Sequence, residues 1–124
     1  MMHKVFVYGS LKQGFGNHGI LTGALYLATT WTQAQTFKML SLGHFPGVQE
    51  GGSHAIEGEL YEVDNHTLYQ LDKLESNGSL YQRVETLLAN GETAWMYILL
   101  VQPKWSRSDR GVESTDNNCQ VWAP

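Results

Sequence analysis

Two stretches of this chain carry residue types whose spacing suits anion binding and proton transfer. The first is Tyr8-Gly9-Ser10-Leu11, which follows the unbroken β-branched and aromatic run Val5-Phe6-Val7-Tyr8. That run predicts a buried strand, so a glycine-hinged loop begins where the strand ends. Backbone N–H groups exposed in such a loop can hold a carboxylate or an oxyanion. The second stretch is Leu71-Asp72-Lys73-Leu74-Glu75. Glu75 lies four residues after Leu71, so in a helix it shares that apolar face and occupies the last turn. The negative end of the helix dipole and partial burial both disfavour ionisation there, raising the carboxyl pKa toward the range useful to a general acid/base. Each stretch has a plain alternative that the residues leave open: an ordinary strand-ending turn at Gly9, and a solvated helix-end side chain at Glu75.

Other patterns fail on context. Gly14-Phe-Gly16-Asn-His-Gly19 spells G-x-G-x-x-G, but it starts well after the strand ends. No long amphipathic helix follows it, and Met39 stands where a ribose-binding acid is wanted. Gly9 and Gly14 have the P-loop spacing, yet Phe15 and Gly16 replace the Lys and the Ser or Thr. His3, His18, His44, His54 and His66 show no metal-ligand spacing, so no metal site is expected. A Ser10–His18 nucleophilic pair lacks both a G-x-S-x-G elbow and an acid to orient the imidazole. Cys119 has no cue for a lowered pKa and reads as a spectator thiol. Asn65-His-Thr67 and Asn77-Gly-Ser79 match glycosylation acceptors, which matters only for a secreted chain.

The elements that must position the two stretches can be sketched from periodicity. After the first strand, Gly9 to Gly19 form a loop in which Ile20 and Leu21 allow at most one anchoring turn. Ala24 to Thr30 and Phe37 to Leu42 suggest two strands, and Gly43 to Ser53 a long surface loop. Ile56 to Val63 suggest another strand, ended by Asp64 as the N-cap of a helix running to Glu75, with Leu68, Leu71 and Leu74 along it. Ser76 to Ser79 break that helix. Tyr81 to Ala89 and Glu92 to Val101 flank Asn90-Gly91, which predicts a two-residue type I′ hairpin turn. With that turn Val84 pairs with Tyr97 and Tyr81 with Leu100, so Tyr81 and Tyr97 fall on opposite faces and at most one points at a ligand. From Gln102 onward the chain is polar apart from Trp105, Val112, Val121 and Trp122. This tail, residues 102–124, either wraps the surface or frays.

Composition limits the classes of function. The 124 residues suffice for one domain, 42% hydrophobic and 16% charged, with no disordered-chain signature. A formal charge of -4 is the wrong sign for general nucleic-acid binding. One cysteine excludes an internal disulfide framework and suits a reducing, cytoplasmic setting. The longest apolar run, Ala94 to Val101, falls far short of the roughly 20 residues a spanning helix needs. Met1 to Leu11 contain no signal-peptide core. The expectation is a soluble, cytoplasmic, single-domain protein with no membrane association, a monomer by default.

Val5-Phe-Val-Tyr8-Gly-Ser-Leu-Lys12, then Asn17-His18 and Leu21, resemble the opening of the γ-glutamylcyclotransferase family, marked by a Tyr-Gly-Ser/Thr-Leu loop after the first strand. Glu57-Gly-Glu-Leu-Tyr61-Glu-Val-Asp64, Leu71-Asp-Lys-Leu-Glu75 and Leu80-Tyr-Gln-Arg83 are similar to consecutive family blocks, particularly in the γ-glutamylamine cyclotransferase branch. The resemblance covers about Val5 to Val101. Ser76 departs from the glycine or acid that many relatives carry there, and the tail has no counterpart.

The resemblance implies an α+β fold, a small mixed β-barrel with flanking helices and a cavity at its mouth. It also implies an enzyme that releases 5-oxoproline from a small γ-glutamyl compound, the α-amine attacking its own γ-carbonyl. Glu75 would then be the catalytic acid/base, and Tyr8, Gly9, Ser10 and Leu11 the substrate loop, with Tyr81 a candidate for lining the cavity. No metal or cofactor is required. The rival from another class is a non-catalytic module that binds a small acid or a partner's terminus in the same cavity. A third reading is a serine hydrolase acting through Ser10. The leaving group ranges from a simple amine to a lysine side chain, an amino acid or a larger scaffold. Its choice is expected to fall to loop 43–53 and the tail.

Overall fold

The computed structural model describes residues 2–75, 77–100 and 110–123. Its strands are β1 (His3–Val7), β2 (Leu25–Trp31), β3 (Phe37–Ser41), β4 (Pro46–Glu50), β5 (Ala55–Val63), β6 (Tyr81–Leu87), β7 (Thr93–Leu99), β8 (Val112–Ser114) and β9 (Cys119–Trp122). A helix, α1 (Asn65–Leu74), sits between β5 and β6, and a single 3-10 turn spans His18–Leu21. The class is α+β, as expected. Of the flanking helices, the described residues contain this one α-helix and the 3-10 turn.

β1 lies in the middle of a mixed sheet, antiparallel to β5 through Val5↔Tyr61 and parallel to β7 through Val5↔Trp95. Val5, Phe6 and Val7 are all buried, so the strand shows a continuous apolar run rather than alternation. The order is β6-β7-β1-β5-β9-β8, with β2 on the other side of β5. The sheet curls into a half-barrel. Its two ends meet where Thr32 bridges Leu88, with Gln33 N–H donating to the Leu87 carbonyl (3.0 Å) and Ala89 N–H to the Trp31 carbonyl (2.8 Å). Two apolar clusters fill it, one around Val5, Tyr61 and Leu71, the other around Phe6, Met39, Leu60 and Trp122.

The structure corrects two expectations and decides a third that the sequence leaves open. The supposed surface loop Gly43 to Ser53 contains β4, which pairs antiparallel with β3 from Phe37↔Glu50 to Ser41↔Pro46. Pro46, Gly47 and Val48 are buried. Proline is tolerated as the first residue of a strand. Gly47 carries no side chain where Leu99 of β7 already fills the space: an added Cβ would lie 3.0 Å from its Cδ2. A strand built this way shows no hydrophobic alternation.

The β6–β7 hairpin is the second. Its register is Tyr81↔Leu99 and Val84↔Met96, one residue from the predicted pairing. Leu88 N–H donates to the Glu92 carbonyl (2.8 Å) and Gly91 N–H to the Leu88 carbonyl (3.0 Å), so the loop has three residues, Ala89, Asn90 and Gly91. Gly91 has φ +89, whereas Asn90 is not left-handed. A type I′ turn needs both. The observed loop is a β-turn closed by a left-handed glycine.

The third is the tail. Residues 110–123 do not fray: β9 pairs parallel with β5 through Ala55↔Cys119, and Cys119 and Trp122 are buried. Val101 and Trp105 lie outside the described residues, as does Ser76.

Candidate active site

The loop after β1 is tied down through its carbonyls. Gly9 O accepts from Lys12 N–H (3.0 Å), Ser10 O from Asn17 N–H (2.9 Å), and Leu11 O from His18 Nδ1 (2.9 Å). Ser10 Oγ accepts from Asn17 Nδ2 (2.9 Å), and Gln13 N–H reaches Glu59 Oε1 (2.9 Å). Leu11 and Leu21 plug into the core beneath. Lys12 extends the other way and donates to the Trp122 carbonyl at 3.0 Å, burial lowering its pKa. Among the described residues, no hydrogen bond consumes the N–H groups of Gly9, Ser10 or Leu11. The sequence-based pairing of Ser10 with His18 is not made, since the imidazole is committed to Leu11 and packs against Tyr61.

Glu75 arrives from the far end of α1. Asp64 caps the helix by accepting from Thr67 N–H (2.8 Å), the geometry expected of an aspartate N-cap. At about 100° per residue, Glu75 falls between the directions of Leu71 and Leu68, whereas Leu74 falls on the opposite side of Leu71. Leu68 and Leu71 are buried and Leu74 is 40% exposed. The carboxylate therefore sits on the stripe that Leu68 and Leu71 bury, a position suited to a third leucine. Its N–H closes the helix on the Leu71 carbonyl (2.9 Å), and burial pushes the carboxyl pKa up to about 7.

Both stretches line one cavity of about 40 Å³, with Phe6, Val7, Tyr8, Gly9, Ser10 and Leu11 from β1 and its loop, Phe45 and Pro46 from β4 and the turn before it, Glu75, Tyr81 and Tyr97. Every site residue expected from the sequence is present, and Tyr97 joins Tyr81 on the same wall. The opposite-face expectation falls with the hairpin register: Tyr81 faces Leu99, and Tyr97 is two residues from Leu99, hence on the same side of the sheet.

The polar atoms of this wall are ordered. Tyr8 Oη donates to the Tyr97 carbonyl (2.6 Å), Tyr81 Oη to the Pro46 carbonyl (2.8 Å), and Tyr97 Oη to Asp72 Oδ1 (2.6 Å). Burial raises the pKa of all three phenols, with the nearby Glu75 charge adding to it, so they stay protonated at neutral pH. Asp72 also pairs with Arg83 Nε at 3.1 Å, an ion pair without hydrogen-bond alignment, and the guanidinium lies over the Trp95 ring at 4.4 Å. No local pattern marks Phe45 and Pro46 as site residues, and Asp72 and Arg83 stand out in the sequence only as parts of motifs. Their partnership depends on α1 meeting β6, which no local pattern reports.

Among the described residues, no group of three or more His, Cys, Asp or Glu could hold a metal ion, and no helix is long and apolar enough to cross a membrane. Cys119 is buried, which raises its thiol pKa.

Similarity to known proteins bears on the same region. The family model described as gamma-glutamyl cyclotransferase, AIG2-like, matches residues 5–119, past the point where the motif resemblance stops. A Vibrio cholerae relative with gamma-glutamylcyclotransferase in its name is 42% identical over 98 residues, 79% of this chain and 83% of that one. The gamma-glutamylcyclotransferase family protein YtfP of Escherichia coli K12 is 38% identical over 95 residues, 77% and 80% of the two chains. The crystal structure of a mouse AIG2-like protein superposes with a TM-score of 0.72 at 29% identity, covering 84% of this chain and 82% of that one. Taken with the half-barrel and the cavity at the end of β1, these matches place the chain in the AIG2-like gamma-glutamyl cyclotransferase family.

Proposed function

We propose that this protein is a cytosolic enzyme that cyclises the γ-glutamyl group of a small γ-glutamyl amine or γ-glutamyl amino acid, releasing 5-oxoproline and the free amine. The observation that supports this reading above all is one cavity holding both a largely buried carboxyl, its pKa raised to about 7, and a loop with unspent N–H groups.

The chemistry needs few groups. An ammonium cannot attack, so Glu75 takes a proton from the α-ammonium, and the amine then adds to the γ-carbonyl of the same molecule. Glu75 returns the proton to the leaving nitrogen as the C–N bond breaks, and the second proton of the attacking nitrogen is lost to the departing amine, which leaves as an ammonium while the ring nitrogen becomes a neutral lactam N–H. A carboxyl titrating near neutrality suits both transfers, because each form is well populated. The γ-glutamyl chain closes on itself, so holding it folded supplies the proximity that another enzyme would obtain from a covalent intermediate. The N–H groups of Gly9, Ser10 and Leu11 offer donors for the α-carboxylate and for the oxyanion of the tetrahedral intermediate. Ser10 Oγ is engaged by Asn17 and takes no part as a nucleophile in this scheme.

The test is Glu75→Gln, assayed by mass spectrometry for 5-oxoproline across γ-glutamyl amines, γ-glutamyl amino acids and glutathione, with binding followed by calorimetry. Loss of turnover by about 10²–10⁴ with binding retained is expected. Retained turnover would remove Glu75 from the chemistry. Binding by the unaltered protein without product from any of these compounds would make the chain a binding module.

A further inference from the structure

The direction of the tyrosine hydroxyl bonds gives the cavity lining two kinds of polar group. A phenol oxygen has one proton to give and two lone pairs with which to accept. All three cavity tyrosines give that proton to the protein. The acceptors for Tyr8 and Tyr81 are main-chain carbonyls, those of Tyr97 and Pro46, and the acceptor for Tyr97 is the Asp72 carboxylate. None of these acceptors can donate in return, so the hydroxyls cannot reverse. What remains for a ligand is the oxygen lone pairs of these phenols, of which Tyr81 and Tyr97 come from the β6–β7 hairpin, in the same lining as the Glu75 carboxylate. Donors come from the loop Gly9 to Leu11, which lines the same cavity.

An α-amino acid end has the matching division, with a carboxylate that only accepts and an ammonium that only donates. We propose that Tyr97, with Tyr81, forms the pocket for the α-ammonium of the γ-glutamyl group, and that Asp72 and Arg83 are positioning residues that fix the acceptor sense of Tyr97. This rests on the cyclase reading and adds to it the residues that select for the amine that must attack. Asp72 is suited to the task because Arg83 holds it in place at 3.1 Å, with the guanidinium itself stacked on Trp95. A corollary is that none of the three tyrosines can protonate the leaving nitrogen or bond to the oxyanion. Those duties fall to Glu75 and the loop.

The experiment compares two ligands by calorimetry on Glu75→Gln protein: the N-propyl amide of glutamate at its γ-carboxyl, and N-propylglutaramic acid, identical but for the missing α-ammonium. Adding Tyr97→Phe should weaken the first ligand by about tenfold or more and leave the second within about twofold. The ring, and the backbone carbonyl that Tyr8 uses, are unchanged by this substitution, and the second ligand reports whether the cavity is intact. Asp72→Asn should likewise erode the preference for the ammonium ligand, because an amide can donate to Tyr97 and turn its hydroxyl around. Equal weakening of both ligands, or no weakening of the first, would overturn the assignment. Failure of both ligands to bind Glu75→Gln protein would sink the cyclase site and the ammonium pocket together. Selective weakening by Tyr97→Phe in a protein whose unaltered form makes no 5-oxoproline would keep the pocket and remove only the catalysis.

Discussion

Gly9 lies so close to Pro46 that a Cβ on it would come within 2.6 Å of the proline Cγ and 2.7 Å of Cδ. The contact joins the donor loop to the start of β4, and Pro46 in turn accepts the Tyr81 hydroxyl through its carbonyl (2.8 Å). A proline ring cannot swing aside as a long side chain does, so Gly9→Ala must move either the loop or the tyrosine. We expect a loss of about 1–3 kcal/mol in stability by urea unfolding, with kcat/KM for 5-oxoproline release falling further than that loss explains. Gly16→Ala is the control. No heavy atom lies within 4 Å of its would-be Cβ, and the change should stay within about 0.5 kcal/mol.

Glu75 links stability and activity through one proton. Its folded pKa is raised from 4.5 to about 7 by burial, so between those values the native state binds more protons than the unfolded state. The carboxyl therefore contributes most favourably below pH 4.5, and that contribution is lost as pH rises through about 7. Glu75→Gln, which cannot ionise, should stabilise the fold at pH 8 by on the order of 3 kcal/mol, the gain vanishing near pH 4.5. Denaturation midpoints of both proteins from pH 4 to 8 measure this. If they run in parallel, the carboxyl is not buried as described. Activity should move oppositely, rising toward pH 7 as the base form appears.

Two ion pairs predict different costs. Lys4 Nζ and Glu92 Oε1 lie 2.6 Å apart with both side chains more than a third exposed, so Lys4→Met should cost under about 1 kcal/mol and the cost should shrink in salt. Asp72 and Arg83 are about a quarter exposed or less, and Asp72 also holds Tyr97. Asp72→Ala leaves the guanidinium without its counter-charge and the Tyr97 phenol without its acceptor, and should cost about 2–4 kcal/mol, largely independent of salt. Paired denaturation curves at low and high ionic strength separate the two.

The β6–β7 loop can be tested residue by residue. Gly91 has φ +89 and Asn90 does not share the left-handed region, so Gly91→Ala should cost about 1–2 kcal/mol. Asn90→Ala should cost less than about 1 kcal/mol, the worth of the Asn90 Oδ1 bond to Glu92 N–H at 3.1 Å. A type I′ turn would penalise both, and similar losses at the two positions would restore the two-residue loop.

Features written into consecutive residues were legible in the sequence. The run Val5 to Tyr8 specified a buried strand ending in a hinged loop, Asp64 announced a helix start, and the four-residue step from Leu71 put Glu75 on the buried face. Each rests on a local rule: steric limits on φ and ψ, a side chain within reach of N–H groups three residues on, or the 3.6-residue turn. Tertiary structure decided what pairing distant segments requires. β4 is a strand because β3 offers it a ladder and Leu99 fills the space above Gly47. Tyr97 faces the cavity because one extra loop residue shifts the register, and strand parity turns that single step into a change of face. The tail closes on β5 through Cys119 although its composition is polar. Asp72 meets Tyr97 and Arg83 only after α1 and the β6–β7 hairpin have come together. The residues with chemical potential were thus visible along the chain, while their common cavity and the direction of each hydroxyl came from contacts between segments far apart in it.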